Sequence, residues 1–467
     1  MLKFKIIIAL FFWIAIVLVS CNKDDISFDA PNKELRFSRD TVFCDTVYNQ
    51  VRSETYAVKV YNTEDRDVMI PKIELGRGSG SLYRINVDGK SGFQFLNTPL
   101  RKKDSLYIFV EIAPTANGPE AIAEDQILFS SNQGTQHVTL FSVVQDAEFF
   151  VQTTANPVKI TSNTVWNNNK AKIIYGNLQV DPGVTLDVQA GTKVYFHKNS
   201  GLKIANAAKL NVNGTLGNEV VFRGDRNDTK YDTIPKNWNE ISFDAGASLN
   251  MNYAKIFGGT RGLDMKQTTA NISNSIIHTF QEYGIYAVNS TIAAKNIVMD
   301  NFGDSAIGMF KGGYLNLTHC TLANFWEMNS STNAFVLYAT NDWTNPSGQV
   351  EQAALNMDIK NSILYNKNEN AVQLKPTNGQ VFNYSFTNSL LKYSNTAGFA
   401  FENNPFVINS IKNENPLFLN LSIYKLNLRV ANASPARNKG NLTVAASVPL
   451  DIVGVSRLVN PTLGAYQ

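Results

Sequence analysis

The chain has 467 residues, of which 44% are hydrophobic and 17% charged, with 42 basic side chains against 39 acidic ones. That composition supports a sizeable core and excludes a largely disordered chain. The near-balance of charge excludes nucleic acid as a partner, because binding a polyanion needs a concentrated basic footprint.

Lys3 and Lys5 give the first residues a positive charge, and residues 6–19 follow as an uncharged apolar run. This layout predicts a signal peptide over 1–20, since the run is shorter than the roughly 20 apolar residues of a spanning helix. The run ends in Leu18, Val19, Ser20 and Cys21, which resembles the lipobox of bacterial lipoproteins. The resemblance implies that Cys21 is lipidated and becomes the N-terminus, so that acyl chains hold the protein to a membrane. Residues 21–33 read as an acidic tether. Within it Lys23, Asp24 and Asp25 resemble the signal that one Gram-negative group uses to place lipoproteins on the outer face of the outer membrane. A lipid-anchored protein facing the cell exterior is expected.

Residues 34–150 carry short alternating apolar runs, such as "TYAVKVYN", "SLYIFVEI" and "HVTLFSVV", separated by turn signals at Asp88-Gly89 and Asn117-Gly118-Pro119. They predict an immunoglobulin-like β-sandwich. Over residues 34–147, "DTVFCDTV" and "DSLYIFVEI" resemble the N-terminal sandwich of a family of surface lipoproteins, which implies a spacer or packing module. Cys44 and Cys320 fall in separate predicted domains and read as free buried thiols.

Residues 151–467 are Asn-rich and repetitive. Aligning "NYAKIFGG", "SNSIIHTF", "AKNIVMDNF", "THCTLANF", "KNSILYNK" and "TNSLLKY" places anchors at Ile256, Ile277, Val298, Leu322, Leu364 and Leu391. Their spacings are 21, 21, 24, 42 and 27, the 42 being read as two turns. A second line starts at Leu186, Leu210 and Leu249. Short strands at this period predict a right-handed parallel β-helix of about 12 coils, so the expected fold class is all-β, a sandwich followed by a solenoid. The set Ser434, Pro435, Ala436, Gly440, Asp451, Gly454, Arg457, Gly464, Ala465 and Tyr466 resembles the closing segment of β-helix lipoproteins of the pectate-lyase-like superfamily. It implies a cap over the last coil's open edge, with Asp451 paired to Arg457.

No catalytic residue, metal or cofactor is assigned from sequence. Asp264, Asp300, Asp304 and Asp358 do not stack on one another at the coil period, and Asp300 and Asp304 read as a turn. His278 and His319 fall on different ladders, and "GGTRG" at 258–262 reads as another turn. The candidate binding surface is a pair of insertions, 224–237 with Tyr231 and neighbouring Trp238, and 341–353 with Trp343, while Trp326 closes a nearby coil. Exposed aromatic rings stack on sugar faces. The expected function is a non-catalytic β-helix that binds a glycan or a surface protein, or serves the envelope structurally. The alternative is a polysaccharide lyase or glycoside hydrolase acting on an acidic polysaccharide. Thr41, Thr46, Ser105, Thr233 and Ser305 also sit in Asp-Ser/Thr-aliphatic triplets, which resemble an O-glycosylation pattern of the same bacterial group.

Overall fold

A computed structural model describes residues 28–49, 51–114, 120–153, 157–226, 229–328, 335–394, 402–422 and 425–467. Cys21, the expected signal peptide, and Lys23, Asp24 and Asp25 of the expected tether lie outside the described residues. Among the described residues no helix is long and apolar enough to cross a membrane. The described residues divide into two compact units, one within 28–114 and 121–144, the other within 145–467.

The first unit holds two five-stranded sheets. Strand Tyr56–Tyr61 pairs antiparallel with Ser105–Ile112, and Val68–Leu75 pairs antiparallel with Gln94–Leu100. Alternation decides what each strand buries: Val58, Val60, Ile108 and Val110 come from one sheet, Ile70, Ile73, Phe129 and Leu140 from the other. Cys44 is buried and free, and burial pushes its thiol up to about 12, which makes it a packing residue.

The second unit is a parallel β-helix with three strand positions per coil. Ala171–Tyr175, Asn177–Val180 and Thr185–Gln189 pair in parallel with Lys193–Phe196, Gly201–Ile204 and Lys209–Asn213 of the next coil. Strands of the first position stack into an 11-stranded sheet, and those of the other two join in a 17-stranded one. Leu186, Leu210 and Leu249 lie in direct register. Asn suits the corners because it tolerates left-handed backbone angles and bonds locally. Asn274, Asn296 and Asn361 hold φ of 48°, 53° and 48°, and Asn296 Nδ2 donates to Asn274 Oδ1 at 2.9 Å. His319 takes the same corner with φ 52°, its Nε2 2.9 Å from Asn361 Nδ2, so this histidine is part of the ladder.

Two expectations about the repeat need correction. Ile277 pairs with Met299, not Val298, and Met299 pairs with Leu322. Val298 faces outward beneath the C-terminal segment; a strand apolar on both faces hides its phase. The 42-residue step is one enlarged coil, because Thr321–Asn324 pairs directly with Ile363–Asn366. Coil closure follows strand pairing and not chain length, so the insertion at 341–353 emerges between Phe335–Thr340 and Leu355–Lys360 of that coil.

The C-terminal segment is also placed differently. It lies on the outer face of the 11-stranded sheet, where Leu428, Ala436, Ile452, Leu463 and Ala465 cover Val298, Ala323, Ile363 and Leu390. The expected Asp451–Arg457 ion pair is not formed. Arg457 Nη1 donates to Asn296 Oδ1 at 2.8 Å and Leu450 O at 2.7 Å, and Nη2 donates to Gly464 O at 3.1 Å. The Asp451 carboxylate instead accepts from the backbone N–H of Val453, Val455 and Gln467. Ser305 is 2% exposed within its coil, which removes it from the residues open to glycosylation.

Candidate functional site

Six consecutive strand positions, Ile241–Phe243, Leu263–Lys266, Tyr283–Lys295, Ser305–Thr318, Phe335–Thr340 and Val372–Lys375, stack in parallel. Inward residues at one level are Ile241, Leu263, Ile285, Ile307, Leu337 and Val372, all buried. The next residue of each strand must therefore point outward, which builds an exterior column of Ser242, Asp264, Tyr286, Gly308, Tyr338 and Gln373.

This column is aromatic in its middle. Gly308 is required there, since a Cβ would lie 2.7 Å from the Phe310 ring and 3.0 Å from Tyr283. With that space open, the Phe310 ring centroid sits 4.7 Å from Tyr286 and 5.4 Å from Tyr338, giving a continuous strip of half-buried rings. Arg261 lies over Tyr286, its Cζ 4.6 Å from the ring centroid.

The insertion at 341–353 forms a wall beside the strip. It is an antiparallel hairpin, Asp342–Thr344 against Val350–Gln352, that places Trp343 opposite Glu351. Trp343 Nε1 donates to the Tyr286 hydroxyl at 2.8 Å, and Lys311 pairs with Glu351, so the hairpin is pinned to the face at two points. Beyond it a cavity of about 820 Å³ is lined by Tyr338, Thr340, Asp342, Gln373, Lys375 and Tyr384. That is the volume of a site for a small ligand or a few sugar rings.

At the other end the face is acidic. Arg261 Nε donates to Glu282 Oε2 at 2.5 Å and Nη1 to Asp264 Oδ2 at 2.8 Å. Burial raises the Asp304 carboxyl above its ordinary value, with the charge of Glu282 adding to the shift and Arg261 opposing it. Burial likewise raises Glu240, helped by Asp264 and opposed by Arg261. Asp264 is buried, and its Oδ1 has no hydrogen-bond partner.

The sequence-predicted residues fare unequally. Trp343 stands on this face. Tyr231 is half-buried in its own loop between Arg226 and Lys230, whose cations lie 4.6 and 5.0 Å from its ring, and no described contact joins it to Trp343. Trp238 and Trp326 are corrected as ligand-stacking residues, being 1% and 2% exposed. Trp238 stacks on Phe196 at 4.3 Å and donates Nε1–H to Phe257 O at 2.9 Å, inside the coil. The four aspartates do not stack on one another, but Asp304 follows Glu282 at the coil period, its N–H donating to Glu282 O at 3.0 Å. Arg261, taken from "GGTRG" as part of a bare turn, is the hub of the charged end. Glu240, Glu282, Tyr283, Tyr286, Phe310 and Tyr338 were not singled out. The only signal for them was the outward phase of each strand.

No family model and no curated protein matches the chain. Among solved structures, the catalytic unit of a GH87 α-1,3-glucanase from Streptomyces thermodiastaticus is similar at 11% identity over 76% of this chain and 75% of that one, with a TM-score of 0.31. A PapD-like domain of human CEP192 is similar at 12% identity over 27% of this chain and 98% of that one, with a TM-score of 0.18. The Vibrio cholerae VesB protease is similar at 8% identity over 24% of this chain and 31% of that one, with a TM-score of 0.17. Likenesses of this size carry no argument about chemistry.

Proposed function

We propose that the protein is a lipid-anchored glycan-binding protein that takes its ligand along the exterior strip of Tyr286, Phe310 and Tyr338 beside Trp343. The observation that carries this reading is the strip itself, four aromatic side chains in mutual contact on an outer face, walled by a hairpin and continuous through Tyr338 with a cavity. Such rings offer broad apolar area with polar edges, the surface that a sugar's C–H face and hydroxyls match. Packing alone does not account for rings that are only half-buried on the outside of a coil whose interior is already filled by aliphatic residues.

Mobility of the protein in gels containing different polysaccharides tests the reading. Trp343→Ala and Tyr286→Ala are each expected to weaken retardation about tenfold or more, the effect of removing a central aromatic contact. Tyr231→Ala should leave it unchanged. Equal losses from Tyr231→Ala and Trp343→Ala would move the site elsewhere, and retardation by no glycan would favour a protein partner or a structural role.

The anchor belongs to the same proposal. The leader and Cys21 supply the attachment, and the acidic tether supplies display on the cell exterior. Cys21→Ser is expected to move the protein from the membrane fraction to an unlipidated precursor or soluble form. Full retention of the variant in membranes would exclude a lipid on Cys21.

A further inference from the structure

We infer that one outer face of the first unit docks on an anionic lipid surface, with Tyr107 and Phe109 at the level of the headgroups. The face belongs to the sheet of Arg36–Phe37, Tyr56–Tyr61, Ser105–Ile112, Tyr83–Val87 and Lys90–Gly92. The inference rests on the lipid anchor proposed above and adds to it a membrane contact made by the folded protein.

Strand Ser105–Ile112 is apolar on both faces. Ile108, Val110 and Ile112 are buried in the core, so Tyr107 and Phe109 point outward and are 45% and 43% exposed. An outward strand face is ordinarily polar. Here the two rings lie within 10° of coplanar, their centroids 5.9 Å apart, and present a flat aromatic surface. Cations border it. Lys59 pairs with Tyr107 across the ladder and holds Nζ 4.5 Å from its ring, while Arg36 Cζ lies 4.5 Å from the Tyr61 ring. Aromatic rings beside Lys and Arg are the side chains that settle at a membrane–water interface.

Charge decides which face turns to the lipid. The five strands of this sheet carry Arg36, Lys59, Arg84 and Lys90 and a single acid, Glu111. The strands of the other sheet carry Lys72 against Asp45, Glu74, Glu124 and Asp125. The sandwich is therefore basic on one side and acidic on the other, and only the basic side is drawn to phosphate headgroups.

The attachment brings that side within reach. Asp29 is fixed to the sandwich, its O accepting from Met69 N at 2.8 Å and its carboxylate lying 3.1 Å from Arg66. It follows Cys21 by eight residues, a span of at most about 28 Å. That is less than the width of a domain of this size, about 35 Å. Asp29 also bridges to Val68, at the end of the sandwich where Tyr61 pairs with Arg36. The tether thus joins the protein beside the aromatic and basic face. Holding it there raises its effective concentration at the lipid, so a patch too weak to bind alone is enough once anchored.

The test places a tryptophan on each face of the full, lipidated protein, reconstituted in vesicles of three parts phosphatidylcholine to one part phosphatidylglycerol with brominated acyl chains. After subtraction of the wild-type signal, emission from Phe109→Trp should be quenched and that from Leu96→Trp, outward on the acidic sheet, should not. Replacing Arg36, Lys59 and Arg84 together by Gln in the Phe109→Trp protein should lower the ratio of docked to free protein on the order of 100-fold and abolish the quenching. Vesicles of phosphatidylcholine alone should do the same. Equal quenching at both positions, quenching at neither, or quenching indifferent to these charges overturns the inference. A retained, unquenched protein whose retardation by a polysaccharide is lost in Phe109→Ala overturns it as well and gives the face to a glycan. Failure of the anchor reads separately, as native protein missing from the membrane fraction, and removes this inference with it.

Discussion

Replacing Arg457 with methionine is expected to destabilise the β-helix by about 3 kcal/mol, as measured by urea unfolding. The guanidinium is fully buried and serves three acceptors, Asn296 Oδ1, Leu450 O and Gly464 O; the substitution would orphan Asn296 Oδ1 and weaken the other two, since Leu450 O keeps the bond from Asn296 Nδ2 at 2.9 Å and Gly464 O lies 3.3 Å from His319 Nδ1. Each orphaned acceptor costs about 1–3 kcal/mol. Opposing this, burial of a cation without an ion partner is itself unfavourable, and it lowers the Arg457 pKa to about 10. Methionine relieves that penalty and fills much of the volume, so the net loss is smaller than the sum of three broken bonds. Lysine in the same place should recover only part of the loss, because a point charge cannot reach three acceptors arranged around a fork. The damage should be local first: the amide of Ala465, bonded to Thr321 Oγ1 at 2.9 Å, should exchange its hydrogen faster in the methionine variant. A loss under about 1 kcal/mol would mean that the apolar contacts to Val298, Ala323 and Ile363 hold the segment without the arginine.

The sequence carried the architecture because the coil's inner positions obey a strict rule. Leu186, Leu210 and Leu249 are legible in register because each sits in a strand whose outward neighbours are polar. Where that contrast failed, the reading failed by one residue. Val298 and Met299 are both apolar, one under the C-terminal segment and one in the core, and only strand pairing tells them apart. The enlarged coil was missed for a related reason, as spacing in sequence does not reveal whether an insertion adds a coil or swells one. The site was least legible. Its aromatic residues come from three strands, its acids from turns between strands, and its hairpin from an insertion more than 50 residues from the Tyr286 that it touches. Aspartate spacing alone does not reveal Glu282, which precedes Asp304 by one coil. Looking for tryptophan favoured Trp238 and Trp326, whose size makes them core residues in a solenoid, over tyrosines whose exposure is set by strand phase.

Substituting Asp300 by asparagine is expected to stabilise the protein by several kcal/mol at pH 8 and to leave it nearly unchanged at pH 4. Asp300 is 3% exposed on the strand Val298–Phe302, in register with His278, and accepts a hydrogen bond from the backbone N–H of Phe325 at 3.1 Å. It forms no ion pair among the described residues, and burial raises its pKa from 3.8 to about 7. His278, whose pKa burial lowers to about 4, is neutral through most of that interval and offers no counter-charge. The folded chain therefore keeps the Asp300 proton up to about pH 7, whereas the unfolded chain releases it near pH 4. With more protons bound in the folded state, stability falls as pH rises between those values and is level above them. A shift of this size corresponds to an order of magnitude of about 4 kcal/mol at neutral pH. Asparagine keeps the acceptor for Phe325 and cannot ionise, so the difference in unfolding free energy between variant and wild type should grow from pH 4 to pH 7 and then stop growing. Taking the difference cancels every other titrating group. A difference that stays constant across that range would show that Asp300 is ionised in the folded protein, with the local backbone N–H groups sufficing to hold its charge.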